Sequence, residues 1–100
     1  MNANGAAKFC LGQIVATPGA MEAMEESGQT PDFFLNRHAS ADWGDVCPED
    51  WQLNDEAVKN GSRILSAYRT LKGKKLWVVT DAADDDGHRA ATTILLSEEY

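Results

Sequence analysis

"LWVVTDAADDDGHRAATTILL", Leu76 to Leu96, decides the fold class. Two apolar, β-branched runs flank a polar knot of Asp84, Asp85, Asp86, Gly87 and His88. Before the knot, Leu76, Val78 and Thr80 alternate with Trp77, Val79 and Asp81; after it, Thr92, Ile94 and Leu96 alternate with Thr93 and Leu95. A period of two on both sides of a Gly-bearing polar segment reads as a β-hairpin. Upstream, "SRILSAYRT" has strand composition and "LKGKK" has that of a turn, so residues 61–100 predict a three-stranded antiparallel meander.

Working back from that sheet, the chain changes character at Gly61. "TPGAMEAMEESG" carries both helix-end signals: Thr17 to cap, Pro18 in the first turn and Gly28 to close. Ala20, Met21 and Met24 form its expected buried stripe. "TPDFFLNRH" repeats the Thr-Pro start and predicts a short helix from Pro31 to His38, anchored by Phe33, Phe34 and Leu35. "PEDWQLNDEAVKNG" predicts a third helix from Pro48 to Asn60, with Trp51, Leu53, Ala57 and Val58 facing inward. "KFCLGQIVA" reads as a strand from Phe9 to Ala16, and residues 1–8 as a flexible leader. The order is β-α-α-α-β-β-β over residues 9–100. It predicts a single α+β domain with helices packed on one face of an antiparallel sheet. The place of the first strand in that sheet stays open.

A hydrophobic content of 43% and a charged content of 25% are those of a globular chain, against wholesale disorder. No apolar run reaches the roughly 20 residues that span a bilayer. "MNANGAAKFC" has one Lys and no long apolar core, so it does not read as a signal peptide. Cys10 and Cys47 stand far apart without metal-ligand spacing, which suits free thiols in a cytoplasmic protein. The net charge of −7 argues against direct binding to nucleic acid or anionic membranes. Residues 1–60 hold ten acids and three bases, whereas residues 61–100 hold six of each. The helical half therefore carries the whole net charge.

Three groups of residues are chemically suggestive. Asp81, Asp84, Asp85 and Asp86 are oxygen donors, but their spacing is not that of a calcium loop, and Asp with Gly is what a turn requires. The expectation is a solvated hairpin tip with no metal and no cofactor. His38 closes the second helix, where a cation suits the helix dipole. It is also a proton-transfer residue that sheet residues could assist. The sheet offers Arg63, Ser66, Tyr68, Thr80, Arg89, Thr92 and Thr93; a metal-independent ribonuclease would draw on His38, Arg63, Ser66, Tyr68, Arg89 and Thr93. The third group is acidic and aromatic: Asp42, Trp43 and Asp45 in a loop, then Glu49, Asp50, Asp55 and Glu56 on the third helix. An aromatic anchor with an acidic rim suits a protein partner with a basic surface.

"LGQIVATPGA", "DWGD", "LSAY", "WVVT" and "ATTILLSEEY" together resemble a family of small single-domain bacterial and mobile-element proteins without an assigned activity. The resemblance covers nearly the whole chain after the leader. It implies carriage on a plasmid, phage or integrated element, and with it an anti-defence role of the anti-CRISPR or anti-restriction type. "TDAADDDGHRAATT" departs from the pattern by being longer than the family's compact hairpin. A fainter, fold-level similarity runs to the barnase, colicin and RelE-like ribonuclease toxins, which place helices before an antiparallel sheet. The preferred expectation is a non-enzymatic acidic module that docks on nucleic-acid machinery; the alternative is the ribonuclease. A homodimer formed by extending a sheet edge is a third expectation.

Overall fold

The computed structural model describes residues 7–100, so the expected leader falls largely outside the described residues; its last residue, Lys8, already donates its N–H to Ala39 O at 2.8 Å. Strand β1 spans Gln13–Ala16, followed by helices α1 (Pro18–Glu26), α2 (Pro31–Ala39) and α3 (Pro48–Asn60). Strands β2 (Ile64–Arg69), β3 (Lys75–Thr80) and β4 (Ala91–Leu96) complete the domain, with a short 3-10 turn at Ser97–Glu99. This is the anticipated order and class.

The helix ends follow their local chemistry with one exception. Thr17 Oγ1 accepts from Ala20 N at 3.1 Å, and Pro18 opens α1. Thr30 occupies the equivalent extended position before α2, yet its side chain makes no capping bond. Cys47 precedes Pro48 at the start of α3, and Gly61 ends that helix in the left-handed conformation, at φ 84°.

The sheet order is β1-β4-β3-β2. β2 pairs antiparallel with β3, and β3 with β4, as the meander requires. β1 joins the free side of β4 in parallel, with Gln13 opposite Ala91 and Ala16 opposite Ile94, so the sheet is mixed rather than wholly antiparallel. A parallel partner needs a long crossover, and the three helices supply one. β1 is also shorter than expected. Phe9 leaves the strand line to pack against His38 and Trp43, at centroid distances of 5.2 and 6.0 Å.

α1, α2 and α3 lie against β4, β3 and β2 respectively. Alternation sends Ile64, Ser66, Tyr68, Leu76, Val78, Thr80, Thr92 and Ile94 to the helix side, where all are buried. One core cluster joins Ala20, Met24, Phe34 and Leu35 to Tyr68, Leu76, Val78 and Ile94. A second joins Trp43, Ala57 and Ile64, with Phe9 and Val58 against it. Met21 and Phe33 were expected in the core and are exposed, as are Trp51 and, most of all, Leu53 at 60%. On α3 the reason is register: Asn54 and Ala57 take the inward line, leaving Trp51 and Leu53 on opposite shoulders. Leu65, Ala67, Trp77 and Thr93 point to the other side of the sheet, which no helix covers, and stay half-buried.

The outer edge of β2 is closed by two devices. Ala67 exchanges backbone bonds with the loop, N–H to Trp43 O at 3.0 Å and O from Asp45 N at 2.7 Å. Farther along, the Asn54 amide imitates a strand. Its Nδ2 donates to Leu65 O at 2.8 Å and its Oδ1 accepts from Leu65 N at 3.2 Å. Gly44, at φ 76°, sits where any side chain would strike Ala67 O and the Tyr68 ring.

Candidate functional site

The acidic residues predicted for partner binding divide by location. In the loop, Asp42 accepts from Arg37 Nε at 2.8 Å and from Arg37 Nη2 at 3.3 Å. That hydrogen bond holds the Asp42 carboxyl below its usual range and raises the Arg37 guanidinium in turn. Arg37 also lies 4.5 Å over the Tyr68 ring, and Tyr68 donates to Asp42 O at 2.6 Å. Asp42 is thus a brace for the loop. Asp45 sits 3.6 Å from Arg69 at the surface.

Trp43 is fully buried, so the expectation of an exposed aromatic anchor is corrected. Its Nε1 donates to Asp55 Oδ1 at 2.9 Å, which joins the loop to α3. The sequence contained two conflicting signals here, a polar loop and a large aromatic. The aromatic prevails because Phe9, Ala57 and Ile64 form an apolar recess for it. The aromatic that α3 does expose is Trp51, one turn before Asp55.

Glu49, Asp50, Asp55 and Glu56 are all exposed. Among the described residues none of the four forms an ion pair, and the cationic partners that do exist serve Asp42 and Asp45. Glu49 and Asp50 lie in the first turn of α3, where negative charge suits the helix dipole.

The proposed catalytic set is scattered. His38 is buried completely beneath the sheet, with Nδ1 2.5 Å from Ser66 Oγ and Nε2 2.8 Å from Thr80 Oγ1. Thr80 Oγ1 lies 2.7 Å from Thr92 Oγ1, and Thr92 donates to Leu11 O at 2.7 Å. The single proton of each hydroxyl orders this chain. Since Thr92 gives its proton to a carbonyl, it accepts from Thr80; Thr80 then accepts from His38 Nε2–H. Nδ1 is left as the acceptor for Ser66. His38 is therefore a neutral, fully satisfied imidazole, and burial beside the Arg89 cation lowers its pKa to about 3.

Arg89 is buried as well. Its Nη1 donates to Ser62 O at 2.8 Å and Asp81 O at 3.0 Å, and its Nη2 to Ala57 O at 2.9 Å. It ties α3, the start of β2 and the end of β3 together, with Phe9 under its guanidinium at 5.6 Å. Burial pulls its pKa down from the ordinary value, while burial raises that of the Tyr68 phenol. Arg63 is exposed and donates to the Tyr100 hydroxyl at 2.6 Å. Thr93 lies on the opposite side of the sheet from His38. The fold brings His38 and Ser66 together and leaves Arg63 and Thr93 apart from them, and the described residues bury the imidazole completely.

At the hairpin tip, Asp84 Oδ1 accepts from Asp86 N and His88 N, both at 2.9 Å, and Gly87 N donates to Asp84 O at 2.9 Å. These backbone bonds hold the Asp84 carboxyl below its usual range. Asp84, Asp86 and His88 are exposed, with ligand-type atoms within 4.8 Å of one another. Local turn bonds account for this arrangement.

Three further residues contribute here. Thr80 and Thr92 belong to the strand inventory, but only their placement in adjacent strands beside His38 gives them a role. Asn54 carried no sequence signal, because its partner Leu65 lies eleven residues on in a different element. Among the described residues no helix is long and apolar enough to cross a membrane. Compared with protein-family models, curated proteins and solved structures, the chain matches none.

Proposed function

We propose that the chain is a non-enzymatic protein-binding module whose acidic helix α3 docks on a basic surface of a nucleic-acid-handling complex. The observation that carries this reading is the set of acids on α3: Glu49, Asp50, Asp55 and Glu56 are exposed and make no ion pair among the described residues. Acids that form no such pair remain available to complement a partner, and Asp55 does so while one oxygen accepts from Trp43 Nε1. Trp51, exposed beside Asp55, provides the aromatic that the buried Trp43 does not. A surface that imitates the charge of a phosphate backbone competes for proteins built to hold one. An inhibitor of the anti-CRISPR or anti-restriction type, carried by a mobile element, has this chemistry.

Affinity capture from a bacterial lysate tests the reading, with E49Q/D50N/D55N/E56Q as the control. The wild type is expected to retain a nucleic-acid-handling protein in a salt-sensitive manner, and the neutralised variant to lose it. Equal capture and equal salt dependence for the two proteins would overturn the proposal.

A further inference from the structure

The uncovered side of the sheet meets α3 in a groove that shares only Asp50 with the partner reading. Two joined depressions of about 340 and 280 Å³ share Asp50 and Leu65. The floor is apolar, formed by Leu65 with Trp77 beside it. The helix wall presents Asp50 and the exposed Leu53; the strand wall presents Arg63 and Arg69.

We infer that this groove is a dimer interface whose occupant is a second copy of the chain. The groove carries both halves of one contact. When two copies meet about a two-fold axis running along it, the helix wall of each lies over the strand wall of the other. Leu53 then enters the partner groove above Leu65 and Trp77, and Asp50 faces Arg63.

Within one chain Asp50 and Arg63 line the same depression without forming an ion pair. Arg63 spends Nη1 on Tyr100, and its remaining nitrogens make no hydrogen bond among the described residues. Tyr100 in turn packs on Trp77 at 4.8 Å and stiffens the strand wall. Charge also selects the occupant. A chain of net charge −7 repels its own copy across the helices, but residues 61–100 are balanced at six acids and six bases. A basic partner would meet Arg63, Arg69 and Lys75, and a nucleic acid would meet Asp45 and Asp50. Opposite charges on facing walls suit a surface that pairs with itself. The interface shares Asp50 with the partner reading and leaves Trp51, Asp55 and Glu56 free on the rest of α3, so L53D separates the two.

Sedimentation over a wide concentration range at low salt tests the inference, with circular dichroism as the folding control for every variant. The wild type is expected to pass from monomer to dimer. L53D should weaken dimerisation by about 30-fold or more, as the loss of an interface anchor does. D50R and R63E should each weaken it, and D50R/R63E, which restores opposite charges across the two-fold, should recover it. A wild type that stays monomeric throughout overturns the inference, including the case where L53D instead loses capture of a basic protein. A dimer unaffected by L53D, or a double variant no tighter than the singles, overturns it equally.

Discussion

Ser66 Oγ stands 2.5 Å from His38 Nδ1, and this contact starts a chain of protons that ends on Leu11 O. Each hydroxyl gives its one proton onward, so the imidazole has a defined tautomer and no free position. The relationship links α2 to three strands and to the segment before β1. It converts the most catalytic-looking residue of the sequence into a structural one.

Protonation of His38 must oppose folding. Its pKa falls from an ordinary 6.5 to about 3 in the folded chain. The unfolded state therefore binds the extra proton between these values, and stability is lost as pH falls through that window. The full effect is on the order of 4–5 kcal/mol at pH 3. Denaturant titrations from pH 7 to pH 3 should show this decline, and H38Q should show a shallower one despite a lower stability at pH 7. An identical pH slope in H38Q would mean that other groups carry the acid sensitivity.

Arg89 satisfies three backbone carbonyls, one in α3 and one each beside β2 and β3. R89M should cost about 2–4 kcal/mol, because buried acceptors lose their donor as well as a charge. R89K keeps the charge but not the fork, and should fall between the two. Thermal midpoints of the three proteins measure the order; a midpoint for R89M equal to that of the wild type would contradict this role.

Asn54 closes the β2 edge by bonding Leu65 N and O. N54A should cost about 1–3 kcal/mol and open an unpaired strand edge. Light scattering on concentrated samples should rise relative to the wild type. N54D keeps the acceptor for Leu65 N but sets a carboxylate oxygen against Leu65 O, so its midpoint should fall at least as far as that of N54A.

Neutralising the exposed acids of α3 should leave folding nearly intact. The expected thermal midpoint of E49Q/D50N/D55N/E56Q lies within a few degrees of the wild type, since each substitution is at the surface and Asn at 55 still accepts from Trp43 Nε1. A collapse of the midpoint would make these acids structural.

Local chemistry made most of the architecture readable. The repeated Thr-Pro starts, Gly61 and the alternation on both sides of Asp84 to His88 act over a few residues, and all three helices and the three C-terminal strands lie where these signals point. The acidic side of α3 was readable for the same reason, because polarity at helical spacing marks a solvent-facing side. The Trp43 loop was not. A loop of small and acidic residues says nothing about the recess that Phe9, Ala57 and Ile64 make from three distant segments.

The parallel pairing of β1, the inward line of Asn54 and Ala57, and the enclosure of His38 share that character. Each joins groups from separate elements, and their free energy exists only once the sheet has assembled. The order of elements, the hairpin and the charge asymmetry are written in neighbouring residues. That His38 and Trp43 are enclosed while Trp51 and the acids of α3 face solvent is decided by burial, because the same side chain does different chemistry in water and under a sheet.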